Sequence, residues 1–105
     1  MPHGSSTGEP QLLDVLQALA DPVRLGIVQE LAAGDERPCG AFAPQLSKAT
    51  RSHHLRVLRE AGLTNTRNVG TRRLVSLRAA EMELRFPGLL ASVLEASDRV
   101  ATVRG

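Results

Sequence analysis

Few side chains in this 105-residue sequence are equipped for covalent or metal chemistry: one cysteine and three histidines, set among 11 carboxylates and 13 bases. Cys39 is the only thiol, so no intrachain disulfide forms, and one thiolate cannot make a closed metal cage. His53 and His54 are neighbours, and on a helix neighbours point about 100° apart, too far to grip one ion. His3 stands in a polar N-terminal stretch with nothing beside it to suggest a role. Pairing Cys39 with His53 or His54 would give a nucleophile and a base, but no orienting acid or phosphate loop accompanies them. An enzyme is therefore not expected, and neither is a bound metal or other cofactor.

The chemistry that remains is electrostatic. Between Lys48 and Arg73 lie seven bases (Lys48, Arg51, Arg56, Arg59, Arg67, Arg72, Arg73) and one acid, Glu60, a net +6. Residues 1–47 carry −4 and the remainder is neutral, so a chain of net charge +2 hides one strongly basic segment. That is the footprint of a polyanion partner, or else a solvated charged surface. Phe42 and Phe86 are the only aromatic residues, which argues against binding that stacks bases on aromatic platforms.

Wound as a helix, Ser47 to Ala61 gathers Leu55, Leu58 and Ala61 on one side with His54 beside them. Ala49, Ser52, His53 and Arg56 gather opposite, flanked by Lys48 and Arg59. Small residues permit close approach to a major groove, and Ser, His and Arg offer donors to base edges. Ser52, His53 and Arg56 are expected to read bases, while Lys48, Thr50, Arg67, Arg72 and Arg73 mostly hold the phosphate backbone.

The elements that must position these residues are legible along the chain. Residues 1–9 read as a disordered arm, and 10–104 as a single domain with no internal repeat. Leu12, Leu13, Leu16, Leu19 and Ala20 mark one apolar stripe of a helix from about Pro10 to Ala20. Asp21-Pro22 caps a second helix, Pro22 to Ala33, which Gly34 ends in the usual C-terminal role. Ala41 to Leu46, with Pro44 inside it, is too short for a long helix. Ser47 caps the basic helix and Gly62 stops it. Leu63–Asn68 and Arg72–Leu77, separated by Val69-Gly70-Thr71, read as a hairpin. Ala79 to Leu84 reads as a helical turn, and Phe86-Pro87 starts a last helix to about Ala101. The fold class is α+β, mostly α: a winged helix-turn-helix with a two-stranded β-wing. No apolar run approaches a membrane span and no signal core is present, so the expected location is cytoplasmic.

Two strings carry a family resemblance. Leu19-Ala20-Asp21-Pro22-Val23-Arg24-Leu25, followed by Ser52-His53-His54-Leu55-Arg56-Val57-Leu58-Arg59-Glu60-Ala61-Gly62-Leu63, resembles the ArsR/SmtB family of bacterial repressors over roughly residues 11–95. The resemblance implies a homodimer on double-stranded operator DNA. First and last helices would form its interface, here Leu12, Leu13, Leu16, Leu89, Leu90, Val93 and Leu94; packing within one chain is the other use for these leucines.

The departures concern the signal. Soft-metal sensors of the family often carry a Cys-x-Cys pair after the second helix, where this chain has Cys39 alone. Others hold zinc on the C-terminal helices, where this chain has Glu95 and Asp98 but no His. Both family metal sites look absent, and the sequence names no effector. Cys39 is open to two readings, an inert small residue or a redox-responsive thiol near Arg37. Arg51 stands where the family usually places an aliphatic residue, and is expected to be partly exposed, reaching phosphate or an acid such as Glu36. A winged-helix module that binds protein in place of DNA is the alternative of another class.

Overall fold

The structure, a computed structural model, describes residues 9–104, and side chains as far as residue 99. The expected N-terminal arm, except Glu9, lies outside the described residues, as does His3. Five helices and three strands follow in the order α1 (Leu12–Leu19), α2 (Pro22–Ala33), β1 (Arg37–Pro38), α3 (Lys48–Glu60), β2 (Thr64–Val69), β3 (Arg72–Leu77), α4 (Ala79–Arg85) and α5 (Leu89–Arg104). A short 3-10 turn, Cys39–Ala41, links β1 to the segment before α3.

Local chemistry accounts for most boundaries. Asp21 caps α2, its Oδ2 accepting from the backbone N–H of Val23 at 2.9 Å and of Arg24 at 3.0 Å, with Pro22 at the first helical position. Burial pushes the Asp21 carboxyl up, but the N–H of Arg24, its charge and the N–H of Val23 outweigh it and hold the group below its usual value. Ser47 caps α3 by accepting from Thr50 N–H at 3.1 Å. At the other end of α3, Leu63 N–H reaches Leu58 C=O and Gly62 N–H reaches Arg59 C=O, both at 3.0 Å. This is a Schellman closure, and Gly62 adopts the left-handed φ of +90° that it requires. Leu58 and Leu63, the apolar pair that accompanies such a stop, are both fully buried. Gly62 is needed for space as well, because a Cβ there would lie 2.7 Å from Cγ of Pro10.

Three boundaries differ from expectation. The first helix begins at Leu12, because Pro10 is buried against Gly62 and its C=O accepts from Arg85 Nε at 3.1 Å. Gly34 ends α2 in extended backbone (φ −148°) and not in the left-handed form. Phe86 and Pro87 lie before α5: Phe86 closes α4, its N–H on Met82 C=O, and α5 starts at Leu89.

The sheet order is β1-β3-β2, antiparallel throughout. Register runs from Thr64 opposite Leu77 to Val69 opposite Arg72, leaving the two-residue turn Gly70-Thr71. Among the described residues Gly70 has positive φ (62°) and Thr71 does not, the pattern of a type II′ hairpin. β1 is a third strand that the sequence did not announce. Two residues, one of them proline, carry no alternation, and only pairing with Leu74 and Val75 makes them a strand.

The core is aliphatic around one aromatic ring. Ile27, Val28 and Leu31 of α2 join Leu55 and Leu58 of α3 in one buried cluster with Phe42, Leu63, Val75 and Met82. Helix α1 divides its apolar residues between two faces, which corrects the single stripe. Val15, Ala18 and Leu19 are buried, whereas Leu12, Leu13 and Leu16 are 45%, 76% and 39% exposed and Ala20 faces solvent. At 100° per residue these are adjacent faces of one short helix. In α5, Leu90 is buried and Leu89, Val93 and Leu94 are half-buried against their own core.

Candidate nucleic-acid interface

Helix α3 is seated by Leu55, Leu58 and Ala61, all buried. Its opposite side carries Lys48, Ala49, Thr50, Ser52, His53 and Arg56, every one exposed. Ala49, Ser52, His53 and Arg56 share one concavity of about 260 Å³, and Arg59 and Arg73 complete its lining. The sequence left Arg59 on a flank; its position one turn beyond Arg56 is the signal that would have placed it here. A shallow, cationic surface with small residues in its lining can admit the edge of a duplex and offer donors to it.

Strand pleating separates two of the three wing arginines that the sequence reading had grouped. Arg73 shares a face of β3 with buried Val75 and so turns toward α3, while Arg72 points to the other face, opposite Val69 and beside the turn. Arg67 is a different case. Its Nε donates to Oε2 of Glu36 at 2.6 Å and its Nη2 to Oε1 at 2.8 Å, a bidentate pair. The hydrogen bonds and charge of Arg67 hold the Glu36 carboxyl below its usual value, and Glu36 raises Arg67 in return. Glu36 is therefore spent on Arg67, which corrects the sequence expectation that Glu36 could be the acid reached by Arg51. Arg51 is half-buried and donates to Leu46 C=O at 3.4 Å.

Arg24 is the positioning residue that sequence reasoning quoted without assigning a role. Its Nε donates to Ala18 C=O at 2.8 Å and Nη2 to Gln17 C=O at 3.3 Å, satisfying carbonyls at the end of α1. Its Nη1 meets Nδ1 of His54 at 3.2 Å. A guanidinium only donates, so Nδ1 is the acceptor in this contact. One side chain thus ties the end of α1 and the start of α2 to the middle of α3, leaving His54 half-buried and His53 in solvent. Among the described residues no three His, Cys, Asp or Glu side chains gather as a metal site requires, and no helix is long and apolar enough to cross a membrane.

Helix, tight stop, basic hairpin and closing helix together define a winged helix-turn-helix, the class of protein that reads DNA with one helix and a wing. Residues 19–67 match the model of a helix-turn-helix domain family. The chain is 38% identical over 82 residues to the uncharacterized HTH-type transcriptional regulator YceK of Bacillus subtilis, covering 75% of this chain and 82% of that one. It is similar to the homodimeric winged helix-turn-helix DNA-binding domain of a possible ArsR-family transcriptional regulator from Mycobacterium bovis, with TM-score 0.65 and 31% identity over 90% of this chain and 88% of that one. It is also similar to the transcriptional repressor BigR from Xylella fastidiosa, with TM-score 0.58 and 33% identity over 70% and 76% of the two chains. The chain belongs to the ArsR/SmtB family of winged-helix transcriptional regulators. It is a DNA-binding regulator of transcription.

Proposed function

We propose that this chain is a repressor that binds a palindromic operator as a homodimer, using α3 in the major groove and the β2–β3 wing on the backbone. The observation that carries this reading is the division of exposed surface. A cationic face lies on α3, and a separate leucine face lies on α1, where Leu12, Leu13 and Leu16 stand exposed among the described residues. A dimer that joins those leucines to α5 of the partner would set two α3 helices about 34–36 Å apart, one turn of DNA. The homodimeric state of the Mycobacterium bovis domain and the repressor role of the Xylella fastidiosa protein support it. Ser52, His53 and Arg56 read bases, and Lys48, Thr50, Arg72 and Arg73 hold phosphates. Neither family metal site is used, since Cys39 has no second thiol and Glu95 and Asp98 have no histidine near them in sequence. Repression acts in the cytoplasm by occupying the promoter, and release requires a ligand or modification that favours a dimer with mis-spaced helices.

Gel shifts with DNA upstream of the gene, at two salt concentrations, test the reading directly; a protein-binding module would shift none of it. Within that assay, Arg72→Ala is expected to weaken every duplex alike and to flatten the slope of log K against log salt by about 0.9, one phosphate contact. Unchanged binding on all duplexes would remove the wing from the interface. Glu36→Gln is expected to act in the opposite direction. With its carboxylate gone, Arg67 becomes available to the backbone, so affinity rises and the salt slope steepens by about the same amount. A flat response to that substitution would mean Arg67 belongs to the fold alone.

A further inference from the structure

We propose that the cleft between α3 and the β2–β3 hairpin is a binding site for a tetrahedral oxyanion, supplied either by a phosphate of the DNA backbone or by a free inorganic ion of the same chemistry. Lys48, Arg51, Arg59 and Arg73 converge on this cleft, joined by the hydroxyl side chains Ser52 and Thr66. No acid lines it. Among the described residues the side chains of Lys48, Arg59 and Arg73 have no ion pair or hydrogen bond, and Arg51 spends only one N–H, on Leu46. Of the acids that precede its Cys39–Gly40 wall, Glu36 is engaged by Arg67 and Glu30 by Arg37 at 3.0 Å, while Asp35 lines a different cavity. Four like charges around one small space repel one another, and an anion relieves that repulsion.

Size and donor chemistry select the ligand. The cleft holds about 180 Å³, below the roughly 300–1,000 Å³ of pockets for drug-sized molecules, so it admits a small ion. Guanidinium forks match the paired oxygens of a phosphate or sulfate, which chloride lacks. Arg59, Arg73 and Ser52 line both this cleft and the concavity outside α3. A free oxyanion therefore competes with the duplex for the same cations. Only the backbone source rests on the DNA-binding reading; the ion site itself does not.

Cys39 lines the cleft and provides the reporter. The experiment measures the rate at which iodoacetamide alkylates Cys39 in the full chain, with sodium phosphate replacing chloride at constant ionic strength, and separately with duplex DNA. Saturable, severalfold slowing is expected, and it should be lost in the Arg59→Gln, Arg73→Gln double variant with its thermal midpoint retained. Lys48→Gln serves the same purpose should that variant fail to fold. Slowing by phosphate alone identifies a free ion as the occupant, slowing by duplex alone a backbone phosphate, and slowing by both a shared site. No slowing by either, or equal slowing in the folded variants, overturns the proposal. Protection by phosphate in a chain that shifts no duplex would keep the ion site and discard the DNA reading.

Discussion

Leu13→Glu combined with Leu16→Glu is expected to turn the proposed dimer into a folded monomer and to lower operator affinity by about two to four orders of magnitude. Both side chains are exposed within the chain, at 76% and 39%, while Val15, Ala18 and Leu19 hold α1 to the core. The substitutions therefore spare the monomer and load charge onto the face that a second copy covers in the proposed dimer, where a buried unpaired carboxylate is costly. The size of the effect follows from linkage. Once one half-site is occupied, the second meets its α3 at high effective concentration, which multiplies affinity by about 10² to 10⁴ over a single module. Sedimentation and gel shift measure the two consequences separately. A variant that stays dimeric places the interface elsewhere, and a monomer with undiminished operator affinity removes the two-half-site arrangement.

Arg56→Ala should show the other large effect, and of a different kind. Arg56 is exposed in the lining of the α3 concavity, and no intramolecular ion pair or hydrogen bond engages its side chain among the described residues. An arginine on a guanine edge contributes about 1–3 kcal/mol of discrimination, so its loss is expected to weaken the cognate site by about 5- to 150-fold for each half-site. Unrelated duplexes should lose little. The signature is thus a collapse of the ratio between cognate and competitor DNA, at nearly constant fold stability. Were Arg56→Ala to weaken all duplexes equally, the residue would be a backbone contact like Arg72, and base reading would fall to Ser52 and His53.

These expectations draw on different levels of information. The α3 surface was legible early because a helix of known phase, capped by Ser47 and stopped by Gly62, determines which residues face outward. The +6 segment was likewise visible without coordinates. The pairing of Arg67 with Glu36 was not. The two residues are 31 positions apart and on separate elements, and no periodicity reports such a meeting. The same holds for Arg24, whose neighbours Ala18 and His54 come together only when three helices pack.

Periodicity and capping chemistry act within a few residues, so the sequence alone determined the helices, the hairpin, the basic face of α3 and hence the class of protein. Tertiary packing decided the rest: which leucines of α1 turn inward, that Arg37–Pro38 becomes a strand, which wing arginine joins α3, and which cations find acids. Each of those outcomes depends on the distance between residues remote along the chain. Local propensity carries no record of that distance, and it exists only once the core around Phe42, Leu58 and Val75 has closed.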